Sequence, residues 1–283
     1  MVLEFTNQTE LDKPKEEKMP EKSLIQVTEL PSGFLPYPKG SKIYYAPLTL
    51  GELENLNSGT LNLGQALDNL INSIYVDKFD KLDLAYFDLV YIGVQRKLTA
   101  LGDVRGTING FCTACENKNE KEFTYTELEF EELKVSALPI RYEYEEPKFL
   151  EFSLMTYRNW KKMGDLPEHE IDRLTALSHM VSNYEPSKAK EILSKLSGDS
   201  INYINRIESL LDYGIKPFKL VCAHVEQEES EEVNGETGSL EKVIKPITCG
   251  HEFMVEVTNP FDYTFRPGRP NNLNESKIRF GRS

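Results

Sequence analysis

Hydrophobic positions in this chain fall into blocks that alternate between the helical and the extended period, and the switches between them divide it. Residues 1–22 follow neither period. Six acids and four lysines fill them, which predicts an arm that is mobile or is ordered by a partner. Order is expected from Ser23. Leu24-Ile25-Gln26-Val27 leads into Leu30-Pro31-Ser32-Gly33-Phe34-Leu35-Pro36-Tyr37-Pro38-Lys39-Gly40, whose prolines and glycines force a loop. Lys42-Ile43-Tyr44-Tyr45 then reads as a short strand. Thr49 followed by Glu52 is a capping-box helix start. Leu67, Leu70, Ile71 and Ile74 form one helical face, and Leu84, Phe87, Tyr91, Val94 and Leu98 form another, with Asp83 before it and Gly102 after it. Residues 46–101 are therefore expected to be mostly helical.

At Val104 the period changes. Ile108-Asn109-Gly110-Phe111-Cys112 reads as a strand, and Glu122 to Glu132 as another whose apolar phase slips midway, a bulge or a break. Ile140-Arg141-Tyr142-Glu143-Tyr144 and Leu150-Glu151-Phe152-Ser153-Leu154 flank a turn at Glu146-Pro147-Lys148 and predict a hairpin. Helix returns over 157–213. One stripe there is Ile171, Leu174, Leu177 and Val181. Ala189, Ile192, Leu193 and Leu196 follow Ser187, and a third helix capped by Asp199 carries Ile201, Ile204, Ile207 and Leu211 up to Gly214. Phe218, Leu220, Cys222 and His224 share one strand face, and Phe253, Val255 and Val257 another. Between those strands, 226–241 holds seven acids and no base, which predicts a solvated loop. After Asn259 no period survives. Residues 258–283 carry five Arg/Lys against two acids, an extended basic arm on an acidic body.

Composition narrows the function classes. The chain has 283 residues, a net charge of −13 and a pI near 5.0, which opposes broad binding to a phosphate backbone. No apolar run is long enough to span a bilayer, and Met1 to Pro20 has no apolar core of a signal peptide, so a soluble, cytosol-made protein is expected. Four cysteines are too few for a disulfide scaffold.

Those cysteines are the one constellation with chemistry in it. Cys112-Thr113-Ala114-Cys115 is a C-x-x-C at a strand end, a spacing at which two thiolates curl around one cation. Cys222 and Cys249 sit in strand-like contexts, and Gly250 directly after Cys249 permits the left-handed turn of a zinc knuckle. Used two and two, Cys112, Cys115, Cys222 and Cys249 fit a tetrahedral structural Zn²⁺ site, a closed one with no open position for a substrate. The spacing is irregular: 106 residues separate Cys115 from Cys222, and 26 separate Cys222 from Cys249. Other readings stand beside this one: free buried cysteines, a redox C-x-x-C, or a disulfide pair. His224 and His251, each two residues after a cysteine, are alternative ligands.

The predicted fold class is α+β. A zinc-ribbon-like antiparallel β unit over 104–257 carries inserted helices at 157–213 and the acidic loop at 226–241. A strand, loop and small helical region over 23–103 precedes it, and the arms 1–22 and 258–283 flank the whole. Enzyme signatures fail: His169-Glu170 lacks the second histidine of H-E-x-x-H, the glycines match neither a P-loop nor a dinucleotide fingerprint, and no G-x-S-x-G occurs.

Some stretches resemble a known family. Leu30 to Pro38, Gly40, Lys42-Ile43 and Pro47-Leu48-Thr49-Leu50-Gly51-Glu52 are similar to the N-terminal signature of T-even-type contractile-tail bacteriophage baseplate proteins, the hub and hub-assembly proteins. The C-x-x-C at Cys112, the segment Ser136 to Glu143 and Cys249-Gly250-His251-Glu252 follow in the family's order, within 24–155 and 215–257. The chain departs from the pattern where Cys222 stands without a second cysteine beside it and Glu116 stands in place of glycine. The resemblance implies a non-enzymatic structural or assembly component of the baseplate, hub or inner wedge, assembled in the host cytoplasm and partnered by other tail proteins. Arg266, Arg269, Lys277, Arg279 and Arg282 of the basic arm are the candidate partner-binding residues. The alternative function is a zinc-ribbon regulator bound to nucleic acid or a transcription complex. Residues 116–151 oppose it with eleven acids against five bases.

Overall fold

The computed structural model describes residues 23–49, 51–52, 62–101, 105–233 and 240–255. Both arms, Gly102, Val104 and Val257 lie outside the described residues. The fold is α+β, built from small antiparallel sheets and six helices among the described residues.

Strands β1 (Ile25–Gln26), β2 (Ile43–Tyr45) and β3 (Ile74–Val76) form one sheet, with β2 central. Helix α1 (Leu63–Asn72) buries Leu67, Leu70 and Ile71, as its period predicts. Ile74 does not continue that stripe. The chain leaves the helix at Ser73, and Ile74-Tyr75-Val76, β-branched and aromatic, pairs with β2 so that Ile74 lies opposite Tyr45. Helix α2 (Tyr86–Leu101) begins after Leu84, which belongs to the preceding 3₁₀ turn and to the core rather than to the helix. The Thr49 capping box is present: Thr49 N–H donates to Glu52 Oε2 at 2.8 Å, and Glu52 N–H donates back to Thr49 Oγ1 at 3.3 Å.

The strand expected over Glu122–Glu132 breaks. β4 (Arg105–Phe111) pairs with β5 (Lys118–Thr124), a 3₁₀ turn at Tyr125–Glu127 follows, and β6 (Phe130–Glu131) pairs with β9 (Gly214–Ile215). The hairpin β7 (Ile140–Glu145) and β8 (Lys148–Phe152) forms where alternation predicts it. Helices α3 (Tyr157–Gly164), α4 (Arg173–Met180), α5 (Pro186–Leu193) and α6 (Gly198–Leu211) fill the next stretch. Two caps differ from expectation. Pro186 opens α5, so Ser187 is inside it, and Ser197 caps α6 by accepting from Ser200 N–H, leaving Asp199 in the first turn.

Within the acidic stretch 226–241, residues 226–233 and 240–241 are strand and not loop, while 234–239 lie outside the described residues. β11 (Val225–Val233) and β12 (Leu240–Thr248) pair antiparallel, and the register sets Glu228 opposite Lys245 and Glu231 opposite Lys242. Composition treats each glutamate alone; pairing supplies the backbone partners that composition does not show.

Apolar packing gathers in two clusters. The larger joins β2, α1, α2, β8 and the helices of 157–213. The smaller gathers Val94, Ile108, Cys112, Phe123, Tyr125, Leu128, Leu220, Cys222 and Phe253. Helix α2 serves both, with Leu89 and Ile92 in the first and Val94 in the second. Polar ties fix the N-terminal loop to it. The Asp88 carboxylate, fully buried, accepts from Ser32 N–H, Ser32 Oγ–H and Tyr37 Oη–H at 3.1, 2.5 and 2.6 Å. Arg96 donates to the carbonyls of Ala46 and Pro47 and to Glu52.

Burial raises the Asp88 carboxyl from its ordinary 3.8 to about 6, although the Ser32 and Tyr37 donors pull it down. An acid whose folded pKa lies above its unfolded one is protonated more in the fold. Its contribution is therefore full below about 4 and lost as pH rises through about 6. Asp88→Asn is expected to remove that slope. The stability gap between wild type and variant, from urea unfolding, should change by up to about 3 kcal/mol between pH 4 and 7. Parallel profiles would contradict it.

Candidate metal centre

Two knuckles build the site, and they are equivalent residue by residue. In the first, the chain leaves β4 at Cys112 and enters β5 at Lys118. Cys112 N–H donates to Asn117 O at 3.0 Å, and Glu116 N–H donates to Cys112 O at 2.8 Å. In the second, the chain leaves β10 (Phe218–Val221) at Cys222 and enters β13 (Glu252–Val255) after His251. Cys222 N–H donates to His251 O at 2.9 Å, and Gly250 N–H donates to Cys222 O at 3.1 Å. The residue after the second cysteine is left-handed in both: φ is 59° at Glu116 and 61° at Gly250. Where the first knuckle has Thr113-Ala114, the second has the whole β11–β12 hairpin. Its neck is closed by Cys249 N–H donating to His224 O at 2.8 Å.

The strand face expected to run from Phe218 to His224 therefore ends at Val221, and Cys222 and His224 belong to the turn. β10 pairs with β13 from Phe218 opposite Val255 to Val221 opposite Glu252. The two ribbons meet where Gly110 leaves room. A Cβ there would collide with Val255 and approach the Phe253 ring to 3.1 Å.

This brings all four sulfurs together, each within 4.8 Å of the others. Across the knuckles, Cys115 Sγ lies 3.5 Å from Cys222 Sγ and Cys112 Sγ lies 3.8 Å from Cys249 Sγ. Both are far longer than the roughly 2.05 Å of a disulfide, and all four cysteines are free. Tetrahedral Zn–S bonds of about 2.3 Å place sulfurs about 3.8 Å apart, so the spacing suits one ion.

N–H groups aim at the sulfurs: Ala114 N–H at Cys112, the Asn117 amide at Cys115, and the Asn119 amide at Cys222, at 3.4, 3.6 and 3.5 Å. Asn119 also accepts from Ala223 N–H at 3.0 Å, so one side chain binds both knuckles. Neither asparagine stood out in the sequence, because the 116–119 stretch reads as an ordinary polar turn. The Asn117 backbone N–H, with its side-chain amide and the neighbouring thiols, lowers Cys115 to about 6. At Cys249 the backbone N–H of His251 lowers the pKa, but burial and the three other cysteines outweigh it and push the thiol up to about 12. Charge on one sulfur suppresses charge on the next. Four thiolates therefore need a cation among them.

The histidines stand beside this cluster. His251 Nε2 is 2.8 Å from Thr113 Oγ1, a contact between knuckles, and His224 Nε2 is 3.8 Å from Glu226 Oε1. Arg266, Arg269, Lys277, Arg279 and Arg282 lie outside the described residues.

The family profile described as "T4 bacteriophage base plate protein" matches residues 24–235. The chain belongs to that family. No curated protein and no solved structure matches it. The match in this baseplate protein takes in the larger apolar cluster, the smaller one except Phe253, and three of the four cysteines; Cys249 follows it.

The left-handed positions give a paired prediction for the baseplate protein's knuckles. Gly250→Ala should cost about 1–2 kcal/mol, and Glu116→Gly should gain up to about 1 kcal/mol, because only a Cβ makes this backbone expensive. Chemical denaturation of the two variants checks both signs, and equal shifts in one direction would refute the equivalence.

Proposed function

We propose that this chain is a non-enzymatic structural or assembly component of a contractile-tail baseplate, at its hub or inner wedge, and that a structural zinc ion holds its two ribbons together. Membership of the baseplate family carries the first part. The gathered sulfurs of two matching knuckles support the second, with Cys112, Cys115, Cys222 and Cys249 as ligands. Four protein ligands close the coordination sphere, so the ion would act as a staple and not as a Lewis acid toward substrate.

A staple is what this part of the fold lacks otherwise. The smaller apolar cluster is built from short strands, and its segments are separated by the 106 residues between Cys115 and Cys222. Closing such a loop costs entropy that a small core offsets poorly, and metal binding adds directly to folding free energy. The block so fixed would be a rigid docking surface for other tail proteins. The basic arm, through Arg266, Arg269, Lys277, Arg279 and Arg282, would add contacts that order on binding. Assembly would take place in the host cytoplasm and the product would reside in the virion tail.

The purified full chain should contain about one zinc, and a strong chelator should lower its melting temperature by several degrees. Co-expressed with the other tail proteins of its phage, the chain should copurify with at least one of them. Reversing the five arm charges to glutamate should weaken that association without changing the melting temperature. A metal-free chain indifferent to chelator would remove the zinc reading; a chain that binds no tail protein would remove the assembly reading.

A further inference from the structure

Each knuckle contributes one buried and one part-exposed sulfur: Cys112 and Cys222 are 1% exposed, whereas Cys115 and Cys249 reach solvent. The two sulfur–sulfur contacts of hydrogen-bonding geometry both cross between the knuckles, Cys115 to Cys222 at 3.5 Å and Cys112 to Cys249 at 3.8 Å. Each contact therefore joins a part-exposed sulfur of one ribbon to a buried sulfur of the other. Closing them to a disulfide bond of about 2.05 Å needs movements of only about 1.5 and 1.8 Å.

We infer that this cluster is a site of oxidative modification, at which a peroxide converts the four cysteines into two cross-ribbon disulfides, Cys115–Cys222 and Cys112–Cys249. The part-exposed sulfur attacks a peroxide oxygen: an S–O bond forms, the O–O bond breaks, and the leaving oxygen departs as water, giving a sulfenic acid. The buried partner sulfur then attacks that sulfur. The S–S bond forms, the S–O bond breaks, and the hydroxide leaves with a proton as a second water. Per disulfide, two thiols are oxidised by loss of two hydrogens and one peroxide is reduced to two waters. Disulfide sulfurs are poor ligands for a divalent cation, so Zn²⁺ leaves as the thiolates are consumed.

The linkage pattern rests on the sulfur geometry alone; only the release of zinc rests on the function proposed above. The mechanical consequence differs from ordinary oxidation of a zinc site. Disulfides within Cys112–Cys115 and Cys222–Cys249 would leave the ribbons untied, whereas cross-ribbon disulfides replace the ion by covalent ties between the same two elements. A tail component made in a reducing compartment and carried into an oxidising one would keep its clamp.

The full chain, purified reduced and freed of reductant, is titrated with hydrogen peroxide. Zinc release is followed with a chromogenic chelator, and linkages by peptide mapping without reduction. The peptide that holds both Cys112 and Cys115 should be joined to the Cys222 and the Cys249 peptides, with four hydrogens lost in all. Cys115→Ser should leave only Cys112–Cys249, and Cys249→Ser only Cys115–Cys222. The oxidised chain should melt above the chelated, reduced one. Within-knuckle disulfides, exchanged partners, sulfinic acids, or no reaction with excess peroxide would each overturn the inference. A reduced chain without zinc would defeat the metal reading while the linkage map still decides this one.

Discussion

Sulfur does not tolerate four negative charges within a few ångströms, and the smaller apolar cluster of this protein, with the two ribbons that build it, depends on how that is resolved. The four Sγ atoms lie within 4.8 Å of one another, so ionising one thiol disfavours ionising the next. A divalent cation bound by the four sulfurs, as proposed above, would turn that repulsion into attraction and hold the ribbons β4–β5 and β10–β13 together. Glycine at 110 then allows the contact, and Asn119 spans it. Without the ion, the small cluster around Phe123 and Phe253 would have to close a very long loop by packing alone.

Helix α2 carries that block to the remainder of the fold. Leu89 and Ile92 lie in the large cluster, Val94 in the small one, and the buried Asp88 and Arg96 side chains fasten the 30–38 loop and the 46–52 segment to the same helix. An exposed ion pair contributes little, but a buried one with several partners fixes geometry and is costly to break. The result is one helix to which both apolar clusters and the N-terminal loop are fixed.

Much of this was legible in the residues. The periods of α1, α2 and the β7–β8 hairpin show which positions are buried, and Cys112-Thr113-Ala114-Cys115 with Gly250 marks where two turns meet. What escaped was set by partners in space. Ile74 continues a helical stripe in sequence, yet β2 offers it an edge. Glu226 to Val233 looks unable to pack, because its backbone partners lie further along the chain in β12. The Asn119 bridge needs two knuckles more than 100 residues apart in sequence and close together in space. The departures from a regular knuckle have a plain cause in the backbone. Thr113-Ala114 and the β11–β12 hairpin occupy the same place, so Cys222 and Cys249 form a C-x-x-C with its two middle residues replaced by 26.

The most direct test is X-ray absorption at the zinc edge on the purified full chain. A single shell of four sulfurs at about 2.3 Å is the predicted result. A shell containing imidazole nitrogen from His224 or His251, or an ion bound by fewer than four sulfurs, would contradict the clamp described here.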